Sequence, residues 1–314
     1  MKRLIAGLTA TAVSFLIASV SEAGVLYAWG DDSSGKCDVP PGDDYVAVAG
    51  GGSHSIALKH DGSIVAWGAN SRGQCDVPTG DDFVAIASGL QHGIAIRRDG
   101  TLATWGRNQY GQCNAPAGAF KAIAAKGNVS LAIRESGHLE SWGYNIGSIP
   151  GYPPFKDIAA GNAMGLALTE SGSVFAWGAG DISTRYAAPG SHTYAAVSLG
   201  DGACLGLTDE GAIVEWGNPV FGHHIPPGGN DFVALASGLH FSLALREDGT
   251  VAGWGSGDPN FNVGGHHVPA DVRFSAIGAG TYHGLGVAVP EPSTFTMMCM
   301  GALGLLLHTR RKRR

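Results

Sequence analysis

The chain has 314 residues, 44% of them hydrophobic and 15% charged, with 50 glycines and a formal net charge of −6. Seven of its 20 basic residues and two of its 26 acidic ones lie within 1–23 and 291–314, which leaves 13 against 24 in the body, a net −11. So acidic a body repels phosphate backbones and argues against nucleic acid as a partner, while its length suits one large domain.

The chain opens with Lys2 and Arg3, an apolar run over 4–20 and the small-x-small triplet Ser21-Glu22-Ala23. This is the pattern of a secretory signal peptide over 1–23, cut after Ala23 to leave Gly24 as the new N-terminus.

The body then repeats. All seven tryptophans, Trp29, Trp67, Trp105, Trp142, Trp177, Trp216 and Trp254, are followed by Gly, at steps of 38, 38, 37, 35, 39 and 38 residues. A second signature alternates with them: an aromatic, small and branched residues, a Gly, then an apolar strand. It begins at Tyr45, Phe83, Phe120, Phe155, Tyr194, Phe232 and Phe274. Between the two lie the pairs Asp61-Gly62, Asp99-Gly100, Ser136-Gly137, Ser171-Gly172, Glu210-Gly211 and Asp248-Gly249. A Gly there supplies the positive φ of a tight hairpin. Such a period predicts propeller blades of about four short strands. In the second full copy these fall at 83–88, 93–97, 102–105 and a short outer piece near 113–116. Ala and Ser in the first strand suit a crowded axis, and the Trp is large enough to fill the gap between two blades.

The body starts on the second half of a repeat, Val25-Leu-Tyr-Ala-Trp-Gly30, and ends on a first half, 274–289. If the ends meet, the halves complete one blade and neither terminal edge is left open to pairing. The expected fold is all-β: a seven-bladed β-propeller over 24–289, closed by pairing of the N-terminal and C-terminal half-blades.

The chain closes with Pro290-Glu291-Pro292, an apolar run over 295–307 and the basic tail Arg310-Arg-Lys-Arg-Arg314. The run is short against the ~20 residues of a relaxed membrane span, and the tail belongs on the cytoplasmic side. The order of these three elements over 290–314 resembles the PEP-CTERM sorting signal of Gram-negative bacteria. That resemblance implies an exosortase-type processing enzyme cutting near the motif, and transient membrane contact through the C-terminal segment. It also implies a destination in the outer envelope, at the cell surface or in the extracellular matrix of a biofilm.

The repeats resemble the regulator of chromosome condensation family. Gly51-Gly-Ser-His-Ser-Ile-Ala-Leu58, Asp61-Gly62 and Ala66-Trp67-Gly68 carry the likeness, which extends over 25–289. The short repeats with Gly73-Gln-Cys-Asp-Val-Pro78 look closer to the compact secreted bacterial members, such as β-lactamase inhibitor protein II, than to the nuclear ones. The family implies a seven-bladed propeller and no single function, since its members include exchange factors, inhibitors and adaptors. A secretory signal and an acidic body speak against nucleotide exchange and chromatin binding.

Chemistry-bearing residues read mostly as scaffold. Cys37, Cys75 and Cys113 share one repeat position, where neighbouring blades stand roughly 13 Å apart, beyond disulfide reach; with Cys204 they read as small buried thiols. His54, His92 and His283 share a strand position filled elsewhere by Val129, Met164, Cys204 and Phe241, so each is expected to hydrogen-bond a neighbouring blade. His223-His224 and His266-His267 align with the cysteine register but offer too few ligands per blade for a metal site. Asp31-Asp32, Asp43-Asp44 and Asp81-Asp82 read as solvated turns, because no calcium-loop spacing surrounds them. Nucleophile-elbow, zinc-protease and phosphate-loop motifs are absent. No catalytic residue, metal or cofactor is assigned.

The most variable part of each repeat follows Trp-Gly: 31–36, 69–74, 107–112, 144–149, 179–186, 218–222 and 256–264. Variation on a repeated scaffold is where recognition is placed, and Tyr110, Tyr144, Tyr186, Phe221 and Phe261 are candidate aromatic anchors. The sequence thus points to an exported, non-enzymatic binding or structural protein of the envelope or matrix, holding a protein or polysaccharide on one loop face. A secreted enzyme inhibitor, with one tight protein partner, is the first alternative. An envelope polysaccharide lyase or hydrolase is the second, and would need acids and a His converging near the axis.

Overall fold

A computed structural model of the chain describes residues 23–144, 147, 149, 151, 154–178, 186–217, 225–255 and 267–289. The described strands form seven antiparallel three-stranded sheets, one per blade. Blade 1 contains β2 (Tyr45–Gly50), β3 (His54–Lys59) and β4 (Ile64–Gly68). Blade 2 contains β5 (Phe83–Ser88), β6 (His92–Arg97) and β7 (Leu102–Gly106). Blade 3 contains β8 (Phe120–Lys126), β9 (Val129–Arg134) and β10 (Leu139–Gly143). Blade 4 contains β11 (Phe155–Ala160), β12 (Met164–Thr169) and β13 (Val174–Gly178). Blade 5 contains β14 (Tyr194–Leu199), β15 (Ala203–Thr208) and β16 (Ile213–Gly217). Blade 6 contains β17 (Phe232–Ser237), β18 (Phe241–Arg246) and β19 (Val251–Gly255).

Blade 7 joins the two ends of the body. Its strands β20 (Phe274–Ala279) and β21 (His283–Ala288) come from the C-terminal half and β1 (Val25–Gly30) from the N-terminal half. β1 pairs with β21 from Val25 opposite Ala288 to Gly30 opposite His283. The closure expected from the half-repeats is therefore a six-residue ladder.

Seven hydrophobic clusters fill the seven gaps between neighbouring blades, and each gap contains or abuts one of the tryptophans. Between blades 1 and 2, for example, Ile56, Leu58 and Ile64 meet Phe83, Ile86 and Trp105. Leu285 and Val287 meet Tyr45 and Val48 across the gap from blade 7 to blade 1, so the ring has no open end. Each Trp lies opposite a small residue of the middle strand, such as Trp105 opposite Gly93 and Trp67 opposite Ser55. A Cβ on Gly93 would stand 2.1 Å from the Trp105 ring.

Among the described residues each blade has three strands, not the four expected. The segment near 113–116 forms no ladder. Cys113 N–H bonds the Asn108 side chain instead of a strand, and Pro116 has no N–H to offer. The segment is held by its side chains and by Thr104 Oγ1, which donates to the Cys113 carbonyl at 2.7 Å. The inner strands also carry a bulge at their second residue in all seven blades, as between Phe83 and Ala85.

Candidate binding face

The strand directions divide the propeller into two faces. The Asp-Gly turns lie on a hairpin face. The Trp-Gly ends and the turns between the first and second strands lie on the opposite, loop face.

On the hairpin face, a cation from the middle strand stacks on the aromatic that starts the inner strand and pairs with a carboxylate. Arg97 lies 4.4 Å from the Phe83 ring centroid and bonds Asp82 at 2.6 Å. Arg246 repeats this over Phe232 with Asp231, and Lys59 over Tyr45 with Asp44. The acidic pairs are thus more than solvated turns: Asp44 and Asp82 are members of structural staples. On the loop face Asp31 pairs with the buried Lys36, and Asp32 accepts the Cys37 N–H at 2.8 Å.

The loop face presents a common scaffold after three of the tryptophans. In 107–114, Asn108 Oδ1 accepts the Cys113 N–H, Asn108 Nδ2 donates to Asn114, and the buried Gln112 side chain accepts the Tyr110 N–H at 2.8 Å. Gly111 takes φ +78° to make the turn. The Gln112 carbonyl receives Trp142 Nε1 and Ser130 Oγ of the next blade, each at 2.9 Å. The loops at 69–76 and 31–38 repeat the frame with Asn70, Gln74 and Cys75, then Asp32, Lys36 and Cys37. Position four of the frame is free to vary, as Ser34, Arg72 and Tyr110.

Tyr110 and Tyr144, from adjacent blades, come together on this scaffold. Both are 44% exposed, with ring centroids 5.8 Å apart and planes at 84°. Arg107 lies 5.8 Å from the Tyr110 ring centroid, donates to Gln91 Oε1 at 2.9 Å and bonds Gln109. Leu90, 37% exposed, precedes Gln91 on the same turn. Tyr186 is elsewhere: it fills the frame position of Gln112, half-buried against the blade 4–blade 5 cluster, and its carbonyl receives Trp216 Nε1. Phe221, Phe261, His223, His224, His266 and the sorting motif Pro290, Glu291 and Pro292 lie outside the described residues.

The three register histidines are structural. His283 Nε2 meets Ser55 Oγ at 2.8 Å, His54 meets Ser88 at 3.1 Å, and His92 meets Ser130 at 2.9 Å, each in the next blade. Ser55 and Ser130 donate to the Lys36 and Gln112 carbonyls, so they accept from a protonated Nε2 and fix that tautomer. Burial lowers the pKa of His54 and His92 to about 4 and of His283 to about 3. In blade 5 this position is Ala203, opposite Gly217, and not Cys204, which faces Trp216. Burial also raises the thiol pKa of Cys37 and Cys113 to about 11, so both stay protonated at neutral pH.

Known proteins share this geometry. Residues 45–74 and 83–112 match the regulator of chromosome condensation (RCC1) repeat, and residues 288–312 match the PEP-CTERM protein-sorting motif. Two of the seven repeats thus match the RCC1 repeat. Human WBSCR16 has 16% identity and a TM-score of 0.71, over 85% of this chain and 99% of that one. Yeast RCC1 (Prp20), solved bound to Kap60, has 16% identity and a TM-score of 0.71, over 96% and 94%. The ectodomain of the Arabidopsis thaliana receptor kinase ACR4 has 20% identity and a TM-score of 0.64, over 78% and 90%. No curated protein matches the chain. These likenesses establish an RCC1-type propeller, and the sorting motif marks an exported protein.

Two charged residues of the inner strands and their turns were not singled out from the sequence. Asp157, 2% exposed, stands where every other inner strand has Ala and accepts the Val197 N–H at 3.1 Å. Lys126 stands where the six other blades have Gly51, Gly89, Gly161, Gly200, Gly238 and Gly280. Alignment of the repeats carries both signals as breaks in an otherwise uniform column.

Proposed function

We propose that the chain is an exported, non-enzymatic binding protein of the envelope or matrix of a Gram-negative bacterium. It recognises a protein or polysaccharide on the loop face, in the sector of Leu90, Gln91, Arg107, Tyr110 and Tyr144. The observation that carries this reading is the exposed edge-on pair of Tyr110 and Tyr144 beside Arg107. Two rings on a braced loop give contact area at low entropic cost, and an Arg beside them adds directional donors. In the mature form the signal peptide is removed after Ala23, and an exosortase-type enzyme acts near Pro290, Glu291 and Pro292. Phe221 and Phe261 are kept as further candidate anchors of this reading, whereas Tyr186, which fills a frame position, is not.

The test uses the processed protein purified from its host, beside a Tyr110→Ala/Tyr144→Ala variant. Retention on the host's extracellular matrix is measured before and after the matrix is treated with protease or stripped of polysaccharide. The double variant is expected to lose at least about tenfold in affinity, in line with truncation of two aromatic anchors. Sensitivity to one treatment names the ligand class. Equal retention of both forms would remove this sector from binding.

A further inference from the structure

The turns of the loop face are linked around the axis by backbone hydrogen bonds. Leu239 N–H of blade 6 donates to Thr281 O of blade 7, and Thr281 N–H to Gly51 O of blade 1, both at 3.0 Å. Gly52 N–H donates to Leu90 O of blade 2 at 3.0 Å, and Leu90 N–H to Gly127 O of blade 3 at 2.7 Å. Among the described residues the series stops there. Across blades 3 to 6 the turns are tied by side chains: Asn162 Nδ2 donates to Asp201 Oδ1 at 3.2 Å, and Lys126 reaches from blade 3 to blades 5 and 6.

The Lys126 ammonium has three N–H donors and meets three carbonyls. They are Leu199 O at 3.0 Å in blade 5, and Ser237 O at 2.7 Å and Gly238 O at 2.9 Å in blade 6. The three acceptors match the donor count of a primary ammonium, and Asp201 adds a favourable field. Burial pulls the pKa of Lys126 down to about 8 against that field, so it remains a cation at neutral pH. The sequence also explains why a side chain fits here and not at four of the six glycines that share this position. At Gly51, Gly89, Gly238 and Gly280 a Cβ would run into the ring of His54, His92, Phe241 or His283, at 2.0–2.2 Å. In blade 3 the residue at that position is Val129, which carries no ring.

We propose that Leu199, Ser237 and Gly238 form a primary-ammonium site that Lys126 fills from blade 3, as a clasp on the arc where the backbone links stop. The site is built from carbonyl oxygens of two blades, and its occupant comes from a third. The clasp therefore completes on the loop face a circuit from blade 6 through 7, 1 and 2 to blade 3 and back to 6.

The experiment removes the occupant and returns its missing part. Lys126→Ala deletes the equivalent of n-propylammonium. Its melting temperature is expected to fall below that of the unaltered chain and to recover with added n-propylammonium. Tetramethylammonium, with charge but no N–H, and n-propanol, with the chain but no charge, are expected not to restore it. An unchanged melting temperature, or equal recovery with all three, would overturn the proposal. Should the Ala variant fail to fold, the intact protein gives a second reading by nitrogen NMR of lysine ammonium groups. A slowly exchanging Lys126 signal is expected, and exchange as fast as that of Lys59 would contradict the clasp. Amide exchange in Lys126→Met is expected to rise about tenfold in the turns at 161–163, 200–202 and 238–240, and not at Gly52 or Leu90. A rise spread evenly round the ring would count against a local clasp.

Discussion

Tryptophan and the small residue opposite it act as one unit. Trp105 covers Gly93, fills the gap to blade 1 and donates its Nε1–H to Gln74 O at 2.9 Å, which pins the loop entering its blade. Trp105→Ala is expected to cost about 3–5 kcal/mol, the range for deleting a buried aromatic, and urea unfolding measures it. A loss under 1 kcal/mol would mean that the gap closes without the indole. Arg97→Ala, by contrast, removes a staple whose partner Asp82 is well exposed, so its cost is expected to stay within about 1 kcal/mol in the same assay. The seven Trp-Gly pairs were plain in the sequence because their identity and spacing repeat. Lys126 was equally visible as one lysine in a column of glycines. Its meaning needed the structure, since its carbonyl partners lie 73 to 112 residues away.

At the level of the strands, three His–Ser links tie blades 7, 1, 2 and 3 in sequence. The partner type was legible, because Val129, Met164 and Phe241 fill the same column and mark it as buried. The tautomer was not, since it depends on which carbonyl each Ser reaches. The pH dependence follows from the lowered pKa values of the buried imidazoles. An unfolded His takes a proton near its ordinary 6.5, whereas the folded ones resist until about 4 or 3. Between those limits the unfolded chain binds more protons, so the contribution to stability is complete above pH 6.5 and is lost as pH falls toward 4. Chemical unfolding at pH 7 and pH 4.5 should show this loss. His283→Phe, which places in blade 7 the residue type that Phe241 supplies in blade 6, should make it smaller. An identical pH dependence in the variant would contradict the assignment. The seven bulges left no mark in the sequence: the bulged residues range from Val84 to Lys121 to Ser275, so the register shift comes from the inner strand's place in the ring and not from any residue type. The expected fourth strand failed because 113–116 has the length of a strand but spends its polar groups on its own loop.

For the whole molecule, ring closure was the most legible property, since two half-repeats at opposite ends of the body have only one way to complete a blade. Removal of 25–30 strips β1 and Trp29 from blade 7 and exposes the β21 edge. The expected result is a lower melting temperature and a broader transition by circular dichroism, and an unchanged transition would mean that the ring does not depend on its ladder. The candidate face was only partly legible. Loop variability pointed to Tyr110 and Tyr144, but Tyr186, read in the same way, occupies the buried frame position, while Leu90 and Arg107 reach the same sector through separate turns. The loop face beside the tyrosine pair is the surface proposed to meet partners. It is tested most directly by placing a photo-crosslinking benzoylphenylalanine at Tyr110 or Tyr144, and at His60 or Glu135 on the hairpin face, in the exported protein within its own host. Crosslinked product is expected from the two loop-face positions and none from the other two; product from His60 or Glu135 alone would move the partner to the hairpin face and overturn the proposal.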